Sequence, residues 1–282
     1  MRTEVIDAEI DQGRPHRCGL TRRAGWRGLG GLQVKPRPFP PHPERTRDLG
    51  TVTLPTDLPE PVGGYIRATM GERMPRIQTA VVWGRGEFNL LGLWFPMRFK
   101  SYHVAGREFR RDMELTWFGI PIFCGYDAYI NGKGSLEFTG LFGLLHVSDE
   151  GTEIDQGDNL VMWAEAPFTT PYVLVLDPRV RWESIDSHTA RLVFPFGDGE
   201  DSLRVAFDAE TNLMGSISGM RYRDREDTKT PYRGEYGEWK TVHGIKVPHH
   251  TEAIWEDQGR PYVILDIGGT EYNVEISEKI PQ

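Results

Sequence analysis

EIDQGDNLVMWAEAPFTTPYVLVL, residues Glu153–Leu176, decides how this chain is read, because it is the one helical stretch in the middle of a sequence that otherwise alternates like a β-sheet. Leu160, Trp163 and Ala164 fall at i, i+3 and i+4 and make one apolar stripe. The spacing predicts a helix over Gln156–Ala166. Asp155 is placed to cap its start, with Asp158 three residues on in the position of a capping box. Pro167 is expected to end it, and Tyr172–Leu176 to lead into a strand. A short helix with a tryptophan on its inner stripe, set between two strand-rich halves, reads as a plug laid across a sheet.

Outward from this helix the period changes to two. On its N-terminal side, strands are expected from Ile77, then over Trp94–Tyr102, Arg107–Phe118, Ile120–Ile130 and Gly134–Leu145, divided by Gly, Asn and Pro. Asn131-Gly132 suits a type I′ hairpin turn. Trp94, Phe95, Met97 and Phe99 put apolar groups on both faces of one strand, which implies a cover on each face. On the C-terminal side the alternation resumes at Val180 and runs to Ile276, with RDREDTKT (Arg223–Thr230) as a charged connection. A second helix is predicted at Pro59–Thr69, with prolines in its first turn and Gly71 as its stop. The expectation is a mainly β domain: one curled antiparallel sheet, a half-barrel of about eleven strands, with two short helices on its concave side.

Residues 1–50 have neither period and are rich in Gly and Pro, so they are read as a disordered basic leader before a domain at 51–282. They hold ten Lys/Arg against six Asp/Glu, a balance of +4; the whole chain is −8, which leaves −12 for the remainder. An acidic body argues against nucleic acid as partner. Two cysteines in dissimilar settings, Cys18 and Cys124, do not suggest a disulfide, and no apolar run is long enough for a membrane span. The N-terminus lacks the layout of a signal peptide or lipoprotein cleavage site, so a cytoplasmic location is expected.

A series of landmarks carries a family resemblance: LPEPVGGYIRATMG, VVWGRGEF, ELTWFGIPIFCGYDAYINGKGSL, EIDQGDNLVMWAEA, RWESIDSHTARL, then IKVP and AIWEDQGRPYVILDIGGTEYNV. Together, over about residues 54–276, they resemble a bacterial family of unknown function that looks distantly related to the lipoprotein-carrier (LolA/LolB-like) half-barrels. FDAETNLM and WKTVHGIKVP match the carrier style of strand, polar turn and returning strand. The resemblance implies an antiparallel sheet curled around an apolar cavity with helices closing its mouth. No residue matches the step in which a carrier passes lipoprotein to a partner.

Within such a cavity, Trp83, Trp94, Trp117, Trp163 and Trp182 are candidates for lining it, and Arg98 with Asp127 for a polar pair gripping a head group. Each also has an ordinary reading, core for the tryptophans and solvent for the charges. The expected function is binding of an apolar or lipid-like small molecule. An enzyme drawing an acid–base pair from Asp127, Glu183 or Asp186 is the alternative, and a filled-core scaffold is a third reading. His243, His249 and His250 do not form a metal set, since adjacent residues of a strand face opposite ways. Asp186-Ser187-His188 cannot form a triad within one turn, and GSISG at 215–219 is centred on Ile217 rather than a serine. No cofactor motif is present, so no cofactor is expected.

Overall fold

Antiparallel hairpins follow one another because each strand is succeeded by a short turn that reverses the chain. The computed structural model describes residues 30–90, 92–140, 143–223 and 226–281. In chain order its elements are β1 (Thr51–Thr53), α1 (Glu60–Thr69), β2 (Arg73–Pro75), β3 (Thr79–Leu90), β4 (Leu93–Val104), β5 (Glu108–Trp117), β6 (Ile120–Ile130), β7 (Lys133–Gly140) and β8 (Leu145–Glu150). Then come α2 (Thr152–Thr169), α3 (Val173–Leu176), β9 (Arg181–Asp186), β10 (Thr189–Phe196), β11 (Gly199–Phe207), β12 (Met214–Tyr222), β13 (Lys229–Gly237), β14 (Lys240–Val242), β15 (Ile245–Val247), β16 (His250–Trp255) and β17 (Arg260–Tyr272).

Thirteen strands form one sheet in the order β8-β7-β6-β5-β4-β3-β17-β16-β13-β12-β11-β10-β9. The strand after α2 starts at the far edge, and β17 returns to close the two halves together beside β3. α2 touches β6, β7 and β8 near one edge and β10, β11 and β12 near the other, so the sheet wraps around it. Every residue of α2 from Asp155 to Thr169 is buried.

The single curled antiparallel sheet stands as expected, with corrections in detail. The sheet has thirteen strands rather than about eleven, and the described residues form three α-helices rather than two. The plug is longer than expected, Thr152–Thr169, and starts at Gly151 with no side-chain cap. Asp155 accepts instead from the Gly134 backbone N–H at 2.7 Å and from Lys133 at 2.9 Å, tying the first turn to β7. Pro167 lies inside the last turn, where it removes one backbone bond without breaking the helix two residues from its end. Tyr172–Leu176 is not itself extended, and the strand it leads toward, β9, begins at Arg181. Val173–Leu176 is a helical turn, an apolar run too short for its period to choose between states.

Local chemistry explains the approach of α2 to the sheet. Asn131 and Gly132, both at positive φ, make the β6–β7 turn as their types require. At Gly134, a Cβ would lie 2.6 Å from the Ile154 carbonyl oxygen, so only glycine lets the helix sit this close. Trp163 is 1% exposed and stacks on Phe194 of β10 at 5.4 Å between ring centroids.

Residues 1–29 of the expected leader lie outside the described residues. Residues 30–50 run along the body: the Arg47 guanidinium donates to the Asn273 carbonyl at 2.7 Å, and Glu271 accepts from the Thr46 backbone and hydroxyl. After β17 the chain turns back over the sheet's convex side, where Val274, Ile276 and Ile280 cover Val81, Trp83 and Tyr102 in a second, smaller core.

Candidate functional site

Two places combine polar groups with shelter: a charged seam beneath α2, and a cleft at the end of the sheet where α3 lies.

The seam is built by register. Val82, Ser101, Arg111, Asp127 and Leu136 are directly opposed on β3, β4, β5, β6 and β7, and so form one row across the sheet. On β5, Phe109, Arg111, Met113 and Leu115 share the buried side, so the alternation that buries three apolar groups also buries a guanidinium. Asp127 takes two bonds from Arg111, one from Nε at 3.1 Å and one from Nη2, while Arg111 Nη1 donates to Glu165 of α2. Burial opposes the Arg111 charge, but Asp127 and Glu165 outweigh it and hold the guanidinium above its ordinary pKa. Burial raises Glu165, with Arg111 acting against it. His103 shares a hydrogen bond with the Ser101 hydroxyl at 2.6 Å, and burial, with the Arg111 charge added, pushes it down to about 3.

A second guanidinium, that of half-buried Arg221 of β12, sits in a different setting. It donates to the Tyr262 hydroxyl at 2.8 Å and lies 5.5 Å from the ring centroids of both Tyr232 and Trp255. Its Nε has no hydrogen-bond partner, and neither has Asp158 Oδ2 on α2. Burial, reinforced by the charge of Asp127, raises Asp158 well above the carboxylate range. Gln156 completes the seam, donating to Asp201 and accepting from the Tyr222 N–H. The space left between α2 and this wall is a cavity of about 60 Å³, bordered by Arg111, Glu165, Tyr232 and Tyr262. That volume accommodates about two waters, not an organic ligand.

The cleft is larger, about 950 Å³. Ile77, Val104, Val173, Leu176 and Ile276 give it apolar walls, and Arg47, Arg107 and Arg179 line it with Glu108, Asp177 and Glu275. Arg179 is held by Asp177 and by the Gly106 carbonyl at 2.7 Å. Arg107 makes no side-chain hydrogen bond to any described group.

The expected site residues are dispersed. Trp163 and Asp127 both belong to the seam region under α2, Trp163 against Phe194 and Asp127 against Arg111. Trp182 is half-buried, donating from Nε1 to the Leu174 carbonyl at 2.6 Å and tilted on Phe207. Trp83 is on the convex side, Trp94 is half-buried at the start of β4, and Trp117 is 43% exposed at a hairpin end. Arg98 and Asp127 are not brought together. Arg98, three residues from Ser101, faces the convex side, where it pairs with Glu114 and lies over Phe39 at 4.5 Å. Nor do Asp127 and Glu183 converge: Glu183 pairs with Arg181 and Arg191 on the exposed edge strand β9, and Asp186 there accepts from the His188 N–H.

Sequence reading missed Arg111, Glu165, Asp158 and Arg221. One signal was available for Arg111, a charge in register with Phe109, Met113 and Leu115. Its partner Glu165, 54 residues away, has no such signal.

A family model of unknown function, DUF6544, matches residues 51–267, and the chain belongs to that family. No curated protein matches the sequence. Among solved structures it is similar to a DUF1329 family protein from Desulfovibrio piger, at 12% identity and a TM-score of 0.43, over 72% of this chain and 88% of that one. It is also similar to a putative outer membrane lipoprotein-sorting protein domain from Vibrio parahaemolyticus, at 9% identity and a TM-score of 0.43, over 71% and 87%. A third, a LolA superfamily protein from Nitrosomonas europaea, has 7% identity and a TM-score of 0.41 over 79% and 96%.

Proposed function

We propose that this protein binds an amphipathic small molecule in the cleft beside α3, its apolar part against Val104, Val173 and Leu176 and its polar group toward Arg107. The cleft carries this reading. Its volume of about 950 Å³ falls in the range of small-molecule sites, and it combines apolar walls with a few polar groups. The concave interior that a half-barrel would offer is occupied by α2, so the space at its mouth is what a ligand finds without rearrangement. Arg107, whose N–H donors make no hydrogen bond to a described group and whose charge acts on nearby Asp177, is the group placed to meet a carboxylate or phosphate.

Titration of the full chain with a fluorescent fatty-acid analogue tests the proposal. Saturable binding is expected, weakened roughly tenfold or more by Val104→Arg, a loss of about 1.4 kcal/mol or greater. Arg107→Ala is expected to weaken the analogue and spare its uncharged alcohol. Binding that never saturates, or that Val104→Arg leaves unchanged, would sink the assignment.

A further inference from the structure

The strands of the β3–β8 half end in hairpin turns that alternate between two rims. Val104–Glu108 and Ile130–Lys133 turn at the rim that carries the cleft. At the opposite rim β3 ends at Leu90 and β4 begins at Leu93, β5 and β6 meet at Trp117–Ile120, and β7 ends at Gly140 and β8 begins at Leu145. The two sets differ in chemistry. The cleft-side turns include Arg107, Glu108 and Lys133. The opposite turns lie within Phe88–Met97, Leu115–Tyr126 and Phe138–Val147, and none of these three stretches contains an Asp, Glu, Lys or Arg.

Their apolar groups are in water. Seven of the eleven large hydrophobic residues exposed among the described ones sit in these stretches: Leu93, Trp117, Phe118, Ile120, Leu144, Leu145 and Val147. Leu144 is 89% exposed and Phe118 is 58% exposed, so neither serves the core. A turn does not need them. Farther along the same rim, the β16–β17 and β12–β13 connections carry Glu256 and Asp257, and Arg223, Glu226 and Asp227.

Residues 31–34 are fastened beside these tips. The Phe118 N–H donates to the Gly31 carbonyl at 2.8 Å, and a Cβ on Gly31 would lie 2.4 Å from the Phe118 ring. Val34 lies against Gly119, and Lys35 and Arg37 follow it, both exposed. Within Gln12–Pro43 the sequence contains seven Arg/Lys and no Asp or Glu, in a chain of net charge −8.

We propose that this rim docks on the surface of an anionic lipid bilayer, with the three hairpin tips entering the interface and the basic segment meeting the head groups. Adjacent tips are two strands apart, roughly 10 Å. They are separate points rather than a flat patch, a shape that suits a fluid layer better than a fixed protein surface. Tryptophan and phenylalanine favour the bilayer interface. Apolar insertion and a polybasic stretch together give the two signals that a stable peripheral attachment needs. The body's negative charge acts over little more than a Debye length, about 8 Å, so the basic segment sets the local attraction and the orientation. The proposal is independent of the ligand reading, since the cleft lies at the other ends of the same strands.

Co-sedimentation of the full chain with phosphatidylcholine vesicles, with and without phosphatidylglycerol, tests it. Binding is expected to the anionic vesicles, to fall with added salt, and to be much weaker on the neutral ones. The double variant Phe118→Asp/Leu144→Asp is expected to bind roughly tenfold less or weaker still, with an unchanged unfolding midpoint because both groups are exposed. Lys35→Glu/Arg37→Glu, which leaves the tips intact, should weaken binding to anionic vesicles alone. The proposal fails if the wild type ignores both kinds of vesicle, or if neither variant alters binding. It also fails if the wild type is a dimer that Phe118→Asp/Leu144→Asp dissociates without affecting vesicle binding, which would assign the tips to self-association.

Discussion

Arg111 is buried and Arg221 half-buried under α2, and they are satisfied in opposite ways. Arg111, from the β3–β8 half, donates three hydrogen bonds to two carboxylates and so links sheet to helix. Arg221, from the β9–β17 half, has one phenol, two aromatic rings and an unpartnered Nε. A buried charge must be compensated, and the comparison shows two solutions within one interior. An ion-pair network fixes the position of its members, since removing any member strands the others. An aromatic cage holds a cation more softly and leaves hydrogen-bonding capacity unused. The β3–β8 side of the seam is therefore read as the anchor of α2, and the other side as its adaptable wall.

The contrast is sharpest in stability. Arg111→Met is expected to cost about 3–5 kcal/mol, because Asp127 and Glu165 would lose their countercharge inside the protein. Urea unfolding measures it, and the triple change Arg111→Met/Asp127→Leu/Glu165→Met should recover most of the loss. Arg221→Met is expected to cost less, about 1–3 kcal/mol, chiefly the stranded Tyr262 hydroxyl and the lost ring contacts. Equal losses for the two methionine variants would erase the distinction between anchor and wall.

Acid should act on the Arg111 side first. The folded protein holds His103 neutral down to about 3, whereas the unfolded chain protonates it near 6.5. Stability from this group is thus complete above 6.5 and is lost as pH falls from 6.5 toward 3, by about 1–2 kcal/mol at pH 5. His103→Gln should flatten that part of the pH profile, and an unchanged slope would remove His103 from the account. Asp158, on the other side, works in the opposite sense. Its raised pKa means that the folded state takes up a proton that the unfolded chain has released, so acidification from above its folded pKa down to about 3.8 stabilises the fold. Asp158→Asn should leave the neutral-pH midpoint unchanged or slightly raised, the smallest effect of the set. A large loss would show that Arg221 depends on the Asp158 charge.

Much of the architecture is legible in the chain because its rules are local. Alternation fixes strands and their faces, Asn131-Gly132 fixes a turn, and a 3.6 period with Trp163 on the stripe fixes a helix where α2 lies. Local rules fail where the outcome depends on a partner. Pro167 looks like a stop, yet the packed last turn tolerates it. Tyr172–Leu176 is expected to lead into a strand, yet one helical turn comes before β9 beside the cleft.

The sequence by itself determined the mainly β class, the antiparallel hairpins, the central helix, and the uncharged stretches at Phe88–Met97, Leu115–Tyr126 and Phe138–Val147. Only the tertiary structure decided that these three stretches share a rim, and that Arg98 and Asp127 part to opposite faces. It alone also decided that Arg111 meets Glu165 beneath the plug. The physical reason is range. Period and turn chemistry act over a few residues, whereas the sheet order that seats β17 beside β3 and curls both halves around α2 is a sum of contacts between residues far apart in the chain.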